Sequence, residues 1–152
     1  LAEILSRRSP ERYFEGNFIA PIEGVSSSRF GERRVFNETP KAPHAGADLK
    51  AALGTPVHAP GGGVVVVAED LFYQGKMVTL DHGLGLFSSF AHLSEILVKP
   101  GQMVAQGEIL GKVGATGRAT GPHLHWAVKL NGARIDPFSL TALDISAWFS
   151  PK

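Results

Sequence analysis

From Ala47 onward the chain runs in short apolar or alternating stretches, each closed by Gly, Pro or Asp. "ADLKA", "PVHAP", "GVVVVAED", "KMVTLDHG", "LFSSFAHL", "EILVKP", "EILGKVG" and "HLHWAVKLNG" are β-branched or alternate with period two, and each predicts a strand. No ten-residue segment in this region carries a 3.6-residue period. Runs of this length and spacing predict an all-β domain, a compact antiparallel sheet of barrel or sandwich type. Asn131-Gly132 is a hairpin signal, because both residues tolerate positive φ. Upstream, "FIAPIEG" predicts an edge strand, since Pro21 has no N–H for a central ladder. "SSSRFGERRVFNETPKAPHAG" predicts a long loop, and long loops in compact domains are usually functional or disordered.

These patterns divide the chain into residues 1–17, a leader or the stub of an upstream regulatory region; 18–140, the core domain; and 141–152, a tail. In the tail, Ala142 to Phe149 predicts a helical turn, or packing of Trp148 and Phe149 on the barrel. "VKPGQMVAQGEILGKVG" turns at Pro100-Gly101 and Gln106-Gly107 and resembles the hairpins of biotinyl and lipoyl domains. It has no lysine at a hairpin tip, which argues against a swinging-arm carrier.

Composition narrows the function. Hydrophobic residues make up 43% and charged residues 19% of the 152 positions, as in a globular domain. The net charge of +1 gives no field suited to nucleic acid. The longest apolar run, Val64 to Ala68, is far too short to span a bilayer. With no cysteine there is no disulfide, no thiolate metal site and no cysteine nucleophile.

Candidate chemistry rests on the histidines: His44, His58, His82, His92, His123 and His125. In "PHAGAD", His44 and Asp48 are four apart. On a straight strand that is about 13 Å, too far to share an ion. Pro43 and Gly46 oppose a helix, and Gly46 permits a bend that swings His44 back towards Asp48. In "HLH", alternation puts His123 and His125 on one face, about 7 Å apart, with Leu124 on the other. Both reach one site without both having to bind an ion. Two histidines, a carboxylate and an open fourth position make catalytic zinc, and His44, Asp48 and His125 supply that set. There is no "HExxH", so acid–base work falls to other histidines.

"HAGAD", "AHLS" and "GPHLHW", in this order, resemble the LytM/lysostaphin-type zinc metalloendopeptidases, which cleave peptide bonds in bacterial cell-wall peptidoglycan. The resemblance runs from about Phe18 to Leu140 and includes "GTPVHAPGGGVV", "VTLDHGLGLFSSFAHLS" and "NGARIDP". It implies the duplicated hybrid motif of the lysostaphin-type catalytic domain, with long loops forming a groove. It implies one Zn2+ per chain on His44, Asp48 and His125, and non-ligand catalytic roles for His92 and His123. Tyr73, in "LFYQGKM", falls where relatives carry a cleft tyrosine that can donate to the oxyanion. His82 matches a recurrent family histidine, read here as structural; His58 matches no functional position. Arg118 and Thr120 lie in the loop before "GPHLH", which shapes the groove or only turns the chain. Phe90 stands where tyrosine is common.

The resemblance implies stem peptides of peptidoglycan as substrate, and a periplasmic or other cell-envelope setting. "GVSSSRFGERRVFNETPKAPHAGADL" resembles the Gram-negative-like group of the family more closely, which implies D,D-endopeptidase action on D-alanyl to diamino-acid cross-links. A glycyl-glycine endopeptidase and a non-catalytic activator of wall hydrolases are the alternatives, and a regulatory region or protein is an expected partner.

Overall fold

A computed structural model describes residues 11–22, 26–28, 35–36, 39–40, 46–117, 119 and 121–142. Among the described residues twelve strands and one short helix follow in order. They are β1 (Ser26–Ser28), β2 (Val35–Phe36), β3 (Thr39–Pro40), β4 (Ala47–Lys50), β5 (Pro56–His58) and β6 (Gly63–Leu71). Then come β7 (Gly75–Gly83), β8 (Leu86–Ile96), β9 (Met103–Val104), β10 (Ile109–Val113), β11 (His123–Leu130), β12 (Ala133–Ile135) and helix α1 (Phe138–Ala142). The fold is all-β, as the alternation predicts. Among the described residues no helix is long and apolar enough to cross a membrane.

Ten strands form one antiparallel sheet, with the path β1-β4-β11-β8-β7-β6-β9. β10 bridges β5 and β8, and β12 closes the hairpin with β11. That hairpin turns at Asn131-Gly132, with φ of 50° and 83°, the paired positive values its sequence signals. Three expectations need correction. "LFSSFAHL" and "EILVKP" do not make two strands, because β8 runs unbroken to Ile96 by exchanging partners along its length. The expected long loop contains β1, β2 and β3, with β1 paired to β4. "FIAPIEG" is not an edge strand between Phe18 and Ile22; it is held by separate bonds, Ile19 N–H to the Pro60 carbonyl and His58 N–H to the Pro21 carbonyl. The expected tail helix is outside the described residues beyond Ala142, and α1 precedes it.

The core lies on the inner face of the sheet. Trp126, Phe90, Leu80, Leu86, Leu93, Leu110 and Leu124 are fully buried there. The segment expected to lead into the domain also enters this core, since Phe14 is 1% exposed and belongs to the same cluster. Its ring meets Phe18 edge-on at 5.2 Å. Burying a side chain of this size removes roughly 150–250 Å² from water, so a tight fit of residues 11–18 contributes substantially to the fold.

His82 belongs to this packing. It is fully buried, with Phe18 edge-on at 4.8 Å. Its Nδ1–H donates to the Gly62 carbonyl at 2.7 Å, and its Nε2 accepts from the Ser88 hydroxyl at 2.7 Å. Both ring nitrogens are satisfied in the neutral form. Burial pushes the imidazole down to about 4, opposed by the Gly62 bond and the Asp81 charge. The unfolded chain takes up this proton near pH 6.5 and the folded chain only near 4. The stability linked to His82 is therefore complete above pH 6.5 and is lost as pH falls through 4. By pH 4 the loss amounts to roughly 3 kcal/mol at about 1.4 kcal/mol per pH unit. Urea unfolding of the protein and of His82→Leu at pH 7.5 and pH 4 checks this: the native chain should lose that much more than the variant.

Candidate active site

The site is built by register. In β11, His123 and His125 share one face, while Leu124, Trp126 and Val128 are fully buried on the other. On one flank β4 pairs His125 with Asp48 and His123 with Lys50. On the other flank β8 pairs His125 with Ala91. His125 therefore stands between Asp48 and the residue before His92. The expected shared face of the two imidazoles holds, and it is the strand period that produces it.

His92 reaches the site by a different route. β8 pairs with β11 up to Ala91 and with β10 from Leu93 onward. Opposite β7 the register advances from Phe90 to Leu93 while β7 moves only from Val78 to Lys76. His92 thus sits in a β-bulge, with φ at 62°, in the left-handed region that favours glycine. A bulge re-aims a side chain that regular alternation would place elsewhere. The His92 ring lies 5.0 Å from that of His123 and 6.3 Å from that of His125, centre to centre.

Bonds to the rings define which nitrogens face the site. His92 Nδ1–H donates to the Thr116 carbonyl at 2.7 Å, and His123 Nδ1–H to the Gly121 carbonyl at 2.9 Å. A carbonyl only accepts, so each neutral ring is the Nδ1–H tautomer and presents a bare Nε2. His123 Nε2 lies 3.7 Å from Asp48 Oδ1. His125 is turned the other way round: its Nδ1 lies 2.8 Å from Asp48 Oδ1. Burial lowers the pKa of His92, and the nearby His123 and His125 lower it further; the Thr116 bond and the Asp48 charge act the other way. A lowered pKa keeps its Nε2 free to take a proton at neutral pH.

The fit to a metal follows from the donors. A carboxylate oxygen and an imidazole nitrogen converge at Asp48 and His125, the hard and borderline donors zinc accepts. His44, the expected third donor, lies outside the described residues, as do Arg118 and Thr120. Among the described residues no group of three His, Asp or Glu side chains is disposed to hold an ion. Tyr73 is 59% exposed in the β6–β7 turn, edge-on to Phe72 at 4.8 Å. The next residue, Gln74, accepts the His92 backbone N–H at 2.7 Å. His58 stays apart, its Nδ1 donating to the Gly107 carbonyl at 3.0 Å. Sequence reasoning missed Thr116; the small-residue lead "GATG" before "GPHLH" was its one signal.

Residues 42–137 match the model of Peptidase family M23. The chain is 43% identical over 111 residues to "Peptidoglycan DD-endopeptidase ShyA" of Vibrio cholerae, covering 72% of this chain and 26% of that protein. A zinc-containing peptidase of Vibrio cholerae superposes with a TM-score of 0.73 at 33% identity, covering 81% of this chain and 39% of that one. The catalytic domain of lysostaphin from Staphylococcus simulans superposes with a TM-score of 0.69 at 29% identity, covering 79% of this chain and 93% of that domain. The chain thus spans about a quarter of the length of the curated relatives it matches first.

Gly46 sets how closely β4 approaches β11. It stands at a bend, as its sequence position suggests, but space rather than φ excludes a side chain. A Cβ there would lie 2.5 Å from the Trp126 carbonyl oxygen and 3.1 Å from His125 Cε1. Gly46→Ala should lower stability by roughly 1–3 kcal/mol, the usual range for overpacking, and displace the His125 ring. Thermal unfolding together with the His125 ring signals in an NMR spectrum checks both.

Proposed function

The chain belongs to peptidase family M23, and on that footing we propose that it is a zinc endopeptidase hydrolysing peptide cross-links of bacterial peptidoglycan. The observation that carries this reading is the gathering of three imidazoles at Asp48: His125 Nδ1 and His123 Nε2 lie 2.8 and 3.7 Å from its Oδ1, and the His92 ring lies 5.0 Å from that of His123. His44, Asp48 and His125 would hold one Zn2+. When bound, zinc supplies a water acidified towards neutrality and polarises the scissile carbonyl.

The protein's own residues then divide the proton work. His92 and His123 both keep Nδ1–H on a backbone carbonyl, which fixes each ring and leaves Nε2 as the working atom. One Nε2 takes the proton of the attacking water. The other, once protonated, donates to the oxygen on which negative charge grows, or passes a proton to the leaving amine. The Thr116 and Gly121 carbonyls stabilise each ring when it carries two protons. Tyr73, on the exposed turn beside Gln74, is a further donor to that oxygen.

The D-alanyl to diamino-acid cross-link is the favoured bond. Its support is the name DD-endopeptidase carried by the relatives ShyA, ShyB and ShyC at 37–43% identity. An envelope or periplasmic setting follows from that substrate.

The test is digestion of defined muropeptide dimers, read by mass spectrometry, with chelator and with zinc restored. Cleavage that a chelator stops and zinc restores is the expected result, with about one zinc per chain. His123→Ala should keep the metal and lose about 10²–10⁴-fold in kcat, the range for one acid–base group. His125→Ala should lose the metal itself. Zinc-loaded protein that releases no amine from D,D-cross-linked or glycine-bridged peptides would overturn the reading in favour of a non-catalytic module.

A further inference from the structure

We infer that Thr116 is the positioning residue for His92, acting through its carbonyl and its hydroxyl together. This rests on the proposal that His92 works in peptide hydrolysis. His92 occupies a left-handed backbone conformation, which costs a non-glycine residue about 1–3 kcal/mol and persists only where the surroundings enforce it. Two bonds hold the residue directly. Its backbone N–H donates to the Gln74 carbonyl at 2.7 Å, and its Nδ1–H donates to the Thr116 carbonyl at 2.7 Å.

The Thr116 hydroxyl joins these two supports. It donates to the carbonyl of Leu93, the residue after His92, at 2.6 Å, and accepts the backbone N–H of Lys76 at 3.0 Å. One oxygen thereby links the bulge to the start of β7, two residues after Gln74. Only a hydroxyl can donate to a carbonyl and accept an amide at one atom in a side chain this short. Glycines make room for the contact. A Cβ on Gly75, whose φ is 65°, would overlap Thr116, and a Cβ on Gly117 would overlap the Gly75 nitrogen.

The chemical consequence concerns the tautomer. A free neutral imidazole favours the Nε2–H form, in which the nitrogen facing the site already carries a proton and cannot act as a base. The Thr116 carbonyl selects the opposite form. With the hydroxyl removed, that carbonyl is no longer anchored, and the His92 ring relaxes towards the unproductive form. The β7–β8 ladder and the bond from Lys76 Nζ to the Ser94 carbonyl at 3.1 Å still hold these strands together.

The experiment compares zinc-loaded wild type, Thr116→Ser and Thr116→Val. Zinc content, kcat and KM on a D,D-cross-linked muropeptide dimer, and the 15N shifts of the His92 ring are measured at one pH. Thr116→Val should keep zinc and KM while kcat falls about 10–100-fold, as when an outer-shell partner is removed. Thr116→Ser should restore most of kcat. The wild-type ring should show Nδ1–H alone, and the valine variant a shift towards Nε2–H. An unchanged kcat in the valine variant, or parallel loss of zinc and activity, overturns the inference. So does a wild-type His92 ring protonated at Nε2, a result that needs no variant to fold. If wild type cleaves no dimer, the functional reading fails, while the ring tautomers still decide the role of Thr116.

Discussion

The site depends on one constraint, the antiparallel register of β11 between β4 and β8. That register puts His125 opposite Asp48 on one side and opposite Ala91 on the other. A slip of one residue would turn His123 and His125 inward and send Leu124, Trp126 and Val128 to solvent. Those three side chains are fully buried, so the hydrophobic core itself enforces the alignment of the imidazoles. Chemistry and stability are therefore specified by the two faces of the same strand. Gly46 extends the constraint, because only a residue without a side chain lets β4 approach the Trp126 backbone this closely.

His92 obeys a different rule. It occurs where β8 exchanges β11 for β10, and the bulge needed for that exchange supplies its direction. The strained backbone at this point is offset by neighbouring bonds rather than by burial. The contrast is instructive. His123 and His125 are placed by a repeating period that any strand provides. His92 is placed by a local break in that period, held by a turn and a loop distant in sequence. Burial at this point lowers the pKa of His92, with the Thr116 bond acting against it and the two neighbouring imidazoles adding to it.

Much of this was legible in the sequence, for physical reasons. Alternation in "HLHWAV" gave the shared face of His123 and His125, and the strand period cannot be read another way. Asn131-Gly132 gave the hairpin because few residue pairs accept two positive φ values. The unity of β8 was not legible, since the polar residues Ser94 and Glu95 look like the end of a strand. They are tolerated because β10 takes over the pairing from Leu93. The role of residues 11–18 was also hidden. Polar neighbours mask Phe14 and Phe18, and only the fold shows that both rings pack around buried His82. Thr116 was missed because a backbone carbonyl leaves no trace in side-chain chemistry. Phe90, two residues before His92, is fully buried in the core.

The central claim is a division of labour: His125 binds the metal while its neighbour on the same face, His123, does not. A crystal structure of the zinc-loaded protein, with anomalous data collected at the zinc edge, tests it most directly. The account predicts one zinc with His44, Asp48 and His125 at about 2.0–2.2 Å. It predicts the Nε2 atoms of His92 and His123 outside that shell, facing the fourth position. A zinc ion coordinated by His123, or one bound without Asp48 and His125, would contradict it.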